Sequence, residues 1–94
     1  SERMPELAQE FYHEGPSFAR ARLAGYLDAR VAAGQLAIED TLLAASQFLE
    51  MAHGPLIKPC YFGVTVQPDD RRIGTVIGSG LRVFMAAYGV KPAS

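Results

Sequence analysis

The stretch from Arg71 to Gly89, RRIGTVIGSGLRVFMAAYG, constrains the possible fold more than any other part of the chain. Ile73, Val76, Ile77, Gly80, Leu81, Phe84 and Tyr88 recur at spacings of three and four, which aligns them along one side of an α-helix. At about 100° per residue the apolar sector also takes in Gly74, Gly78 and Met85 and covers well over half of the circumference. Thr75, Ser79 and Arg82 share the remainder. A helix on the surface of a monomer needs one apolar stripe, so a helix this widely apolar is either fully enclosed or has a second partner. In a short chain the second partner is the expectation. Gly74 and Gly78, one turn apart, leave a shallow groove where another backbone can come close.

The 94 residues make one small domain, near the size at which a single core becomes marginal. Yet 49% of them are apolar, and apolar surface beyond what one core uses commonly ends in an interface. The net charge is −1, so there is neither a basic field to attract nucleic acid nor an acidic block to solvate a tail. The apolar runs fall far short of the roughly 20 residues that span a bilayer. Nor does a charged start with an apolar run suggest a signal peptide. These features predict a cytoplasmic location and no membrane partner. A single cysteine, Cys60, excludes an intramolecular disulfide framework and fits a reducing compartment.

The rest of the chain reads as further helices. Pro5 suits the first turn of a helix in which Met4, Leu7 and Phe11 share one side, with Ala8 and Tyr12 beside them, and Gly15-Pro16 ends it. A second helix starts at Pro16 or Ser17, carries Ala19, Leu23, Tyr26, Leu27 and Val31 as its buried stripe, and closes at Gly34. Arg30 projects into that apolar sector near the helix end, where it can snorkel, bond the last carbonyls and favour the dipole. Asp40 or Thr41 caps a third helix, with Leu42, Ala45, Phe48, Leu49 and Ala52 on its apolar face and Ala44 and Met51 extending that face. It is expected to stop at Gly54-Pro55. From Gly54 to Pro68 the sequence predicts an ordered loop with at most a helical turn near Leu56 to Tyr61, since Val64-Thr65-Val66 has no second strand to pair with. Asp69-Asp70 caps the last helix.

Nothing in the chain argues for catalysis. His13 and His53 have no ligand partner at a metal-binding spacing, so neither a metal nor a cofactor is expected. Cys60 would need a base nearby to act as a nucleophile, and a free thiol among apolar residues is usually packed and inert. Glu39-Asp40 and Asp69-Asp70 are explained by capping. The glycines of the last helix lie inside it rather than before it, so they make no phosphate loop.

Met4-Pro5-Glu6-Leu7-Ala8 with Phe11-Tyr12, Gly34-Gln35-Leu36 with Asp40, Ala44-Ala45 with Phe48-Leu49, Gly54, and Phe84 through Tyr88-Gly89 together resemble the C-terminal half of TetR-family transcriptional regulators of the AefR-like subgroup. The resemblance implies an all-α fold of four main, broadly antiparallel helices over residues 1–94, the last two forming a four-helix bundle with a twofold mate. It implies a homodimer and a pocket for a small apolar or aromatic effector. It also places operator contacts in an N-terminal helix-turn-helix that has no counterpart among these residues. The fragment itself is expected to make no specific DNA contact.

Two residue sets follow. Phe11, Phe18, Tyr26, Tyr61 and Phe62 supply more aromatic surface than one seam needs, and Tyr12 and Arg30 could fix a ligand's orientation, as the few polar groups of an apolar pocket do. The plainer account is that these rings fill the core. For the dimer interface, the apolar sectors nominate Ala44, Phe48 and Met51 from the third helix and Gly74, Ile77, Gly78, Leu81 and Met85 from the last. A ligand-free helical dimerisation or partner-docking module is the competing reading, and a thiol enzyme built on Cys60 stands far behind it.

Overall fold

In a computed structural model of the chain, residues 16–61, 63 and 68–91 are described. They form three helices: α1 (Pro16–Ala32), α2 (Thr41–Tyr61) and α3 (Asp70–Tyr88). The helix expected over residues 5–14 lies outside the described residues, as does Val64-Thr65-Val66. α2 is the middle of the three and packs against both α1 and α3.

α1 starts at Pro16, whose ring presets a helical φ and whose missing N–H costs nothing in the first turn. Its stripe is the one the spacing predicts: Ala19, Leu23 and Leu27 are buried, and Tyr26 and Val31 pack beside them. The helix ends in a Schellman motif at Gly34, which holds φ at +78°. The Gly34 N–H donates to the Val31 carbonyl at 3.0 Å and the Gln35 N–H to the Arg30 carbonyl at 3.0 Å. Glycine is required here because a side chain at that φ would crowd the following carbonyl.

Asp40 caps α2 by accepting the Leu43 N–H at 3.0 Å. The Thr41 hydroxyl donates to the Asp28 carboxylate and so ties the start of α2 to α1. The helix then departs from expectation by continuing through Gly54, Pro55 and Pro59 to Tyr61. Each internal proline removes one i→i−4 bond and crowds the preceding turn, at a cost of roughly 3 kcal/mol or more. Packing offsets this, because Leu56 is buried against Ala52 and Val76 while Ile57 and Ile73 close the same cluster. An apolar seam running past the prolines therefore carries the helix onward, and Cys60 falls within α2 rather than in a loop. Leu42, expected on the apolar face, is exposed in the first turn.

α3 is capped by Asp69, which accepts the Arg72 N–H at 2.8 Å. Val76, Ile77, Gly80 and Phe84 are buried, with Ile73, Leu81 and Tyr88 partly so. Gly80 is the glycine that permits close packing within the chain: a Cβ there would stand 3.4 Å from Phe48 Cε1 and 3.7 Å from Met51 Sδ. The main core joins Ala19, Leu23 and Leu27 of α1 to Ala44, Ala45, Phe48 and Leu49 of α2 and to Ile77 and Phe84 of α3. Burying each large side chain contributes on the order of 1.5–3 kcal/mol.

The segment between α1 and α2 lashes the far end of α3. Buried Leu36 forms an isolated antiparallel bridge with Gly89; the Ala37 N–H donates to the Tyr88 carbonyl at 2.9 Å and the Val90 N–H to the Gln35 carbonyl at 3.3 Å.

Candidate functional site

Of the residues nominated for a ligand, the structure brings Tyr26 and Arg30 together. One turn apart on α1, they stack with the guanidinium carbon 5.6 Å from the ring centroid, a cation–π arrangement. Arg30 does not bond the last carbonyls of its helix as the sequence suggests. Its Nη1 instead donates to Gln35 Oε1 at 2.7 Å. The Schellman turn is responsible, because it folds the second residue past the cap back over the last turn of the helix, where Arg30 stands. Arg30 Nε is buried and without a hydrogen-bond acceptor. Phe18 and Tyr61, at 53% and 71% exposed, stand at the surface, and Tyr61 lies 6.5 Å from the ring of His53. Phe11, Tyr12 and Phe62 lie outside the described residues.

The residues nominated for an interface separate into two groups. Ala44, Phe48 and Ile77 are enclosed by the chain's own core; Phe48, at 0% exposure, has no surface left for a partner. Their apolar side chains are buried in the core that the three helices share. Gly74 and Met85 are exposed, while Met51, Gly78 and Leu81 are partly buried and still present surface. A Cβ at Gly74 would meet nothing within 4 Å, and one at Gly78 only the Arg82 guanidinium at 4.0 Å. So the groove they form is open.

Sequence reasoning missed the other flank of α3. At about 100° per residue, Arg72, Ser79 and Val83 lie on the opposite side of the buried stripe from Gly74, Gly78 and Met85. Val83 is 56% exposed. Beside it, Met51 and Pro55 of α2 and Arg72, Thr75, Val76, Ser79 and Gly80 of α3 line a cleft of about 250 Å³. The small side chains of Ser79 and Gly80, one turn before Val83 and Phe84, were the signal that could have located it. Among the described residues no group of three or more His, Cys, Asp or Glu gathers to hold a metal ion, and no helix is long and apolar enough to cross a membrane.

This arrangement, a short α1 and two apolar helices with surface to spare, has a counterpart in known proteins. The model of the AefR-like transcriptional repressor C-terminal domain matches residues 1–90. The chain belongs to this TetR-type family. Among solved structures the AefR-like domain is similar to the flavonoid-responsive regulator FrrA, with 33% identity and a TM-score of 0.73. The likeness covers 96% of this chain and 45% of that one, so the domain spans a little under half of the relative's length. No curated protein matches the chain. The AefR-like family consists of transcription regulators rather than enzymes, in keeping with a sequence that shows no catalytic constellation.

Proposed function

We propose that this AefR-like domain is the effector-sensing and homodimerising half of a transcriptional repressor. In this reading α2 and α3 form a four-helix bundle with a second copy, and a small aromatic ligand bound beside α1 changes the set of a DNA-binding domain that contacts the operator. One observation carries it: α3 spends one apolar side on the core yet keeps Gly74, Gly78 and Met85 at the surface on one flank and Val83 on the other, and grouped apolar surface marks interaction sites. The likeness to a flavonoid-responsive regulator supports an effector of planar aromatic type. Tyr26, with Arg30 stacked on it, supplies the aromatic and polar groups such a ligand needs.

Thermal unfolding of the chain with a neutral flavone tests this reading. A saturable rise in Tm is expected, since any ligand of the native state stabilises by mass action. Should neither a flavone nor any other apolar aromatic move Tm while the chain remains dimeric, the domain is a ligand-free dimerisation module.

A further inference from the structure

We infer that two copies of this chain meet across the cleft between α2 and α3, on the flank of Ser79 and Val83, and that the glycine groove of Gly74 and Gly78 lies outside the contact. The inference rests on the homodimer reading above and names the face that does the pairing. Both helices of each copy have to reach the other in a four-helix bundle, so the pairing face carries exposed side chains of α2 and α3 together. The glycine flank fails that requirement. Nothing stands within 4 Å of a Cβ built at Gly74, and at Gly78 only the Arg82 guanidinium of the same helix comes to 4.0 Å. No α2 atom approaches that near. A twofold contact there would also bring the Arg82 groups of both copies to one groove, where like charges oppose association.

The cleft flank meets the requirement. At about 100° per residue, Leu43, Glu50 and Gly54 point away from the side of α2 that buries Ala45, Leu49 and Ala52. Arg72, Ser79 and Val83 form the matching row on α3. Between the two rows Met51 and Pro55 face Val76 and Gly80 across the cleft of about 250 Å³. The surface therefore runs from one helix to the other.

A twofold contact joins a surface to its own copy, so each feature must find its complement on the same patch. This patch holds both a hollow and projections: small Ser79 and Gly80 line the cleft, while Leu43 and Val83 are 53% and 56% exposed. It also holds both signs of charge, with Glu50 on the same face as Arg72 and Lys58, all three exposed. A second copy matches it in shape and in charge.

Sedimentation equilibrium of the whole chain with single substitutions at exposed positions separates the two flanks. Leu43→Arg on α2 is expected to weaken the dimer by about tenfold or more, and Ser79→Arg, which fills the cleft from α3, to do the same. Met85→Arg, beside the glycines, should leave the dimer constant within about twofold. All three side chains are exposed, so circular dichroism should show unchanged helicity; if one cleft variant loses its helices, the other decides. Weakening by Met85→Arg alone, or equally by all three, overturns the inference. If the wild-type chain is a dimer that none of the three disturbs, the face is wrong and the homodimer stands; if the wild-type chain is monomeric throughout the micromolar range, both fall.

Discussion

Phe48 and Phe84 meet edge to face, with ring centroids 5.8 Å apart and planes at 85°. That pair sets the spacing of α2 and α3, and Gly80 lies against the same ring. Edge-to-face pairs add about 0.5–1.5 kcal/mol beyond the area they bury. Phe48→Ala should therefore cost about 3–5 kcal/mol, the range for emptying a fully buried aromatic site, measured by urea denaturation. A loss below about 1 kcal/mol would mean that the helices close over the gap and the pair does not fix their distance.

Two glycines of α1 and its closing turn should respond in opposite directions to the same change. Gly25 sits mid-helix, and a Cβ there would meet nothing within 4 Å, so Gly25→Ala should stabilise by about 0.5–1 kcal/mol through helix propensity. Gly34 holds φ at +78°, so Gly34→Ala should destabilise by about 1 kcal/mol or more. Thermal melts of the two variants should shift in opposite senses. A shared sign would mean that the turn relaxes to accept a side chain.

Pro55 removes the N–H that would bond the Met51 carbonyl, inside a helix that continues regardless. Pro55→Ala restores the donor and should raise helicity and stabilise the chain by up to about 3 kcal/mol on the propensity scale, read as a higher Tm. A lower Tm would show that the proline ring, which lines the cleft beside Met51, contributes more by packing than it costs the backbone.

α1 and α3 were legible in the sequence because each carries its own instructions: apolar spacing of three and four, a capping carboxylate at Asp69, and a glycine at the close of α1. The second half of α2 was not, since Gly54-Pro55 reads locally as a stop and only the distant contact of Leu56 with Val76 carries the helix past it. Arg30 stood out as a charge in an apolar sector. Its partner Gln35 did not, because their meeting depends on the left-handed turn at Gly34 rather than on any spacing. The amount of apolar surface on the last two helices was readable, whereas its division was not. Which side the chain itself covers is decided by how Phe48, Gly80 and Phe84 fit, and that fit removed Ala44, Phe48 and Ile77 from the surface.

The flank of α3 used for pairing separates by substitution. Gly78→Leu fills an open groove without meeting the chain's own core, and Val83→Arg places a charge beside the cleft on the other side. If the copies meet across the glycine groove, Gly78→Leu weakens the dimer by at least tenfold, about 1.4 kcal/mol, and Val83→Arg leaves it nearly intact. The reverse pattern assigns the contact to the cleft. Helicity by circular dichroism should hold in both variants.

Sedimentation equilibrium at micromolar concentration tests most directly the central claim, that a second copy of this chain covers the surplus apolar surface of α2 and α3. Twice the chain mass is expected, falling toward the chain mass only on dilution or in whichever flank variant disrupts the contact. A single species of the chain mass throughout the micromolar range would contradict it.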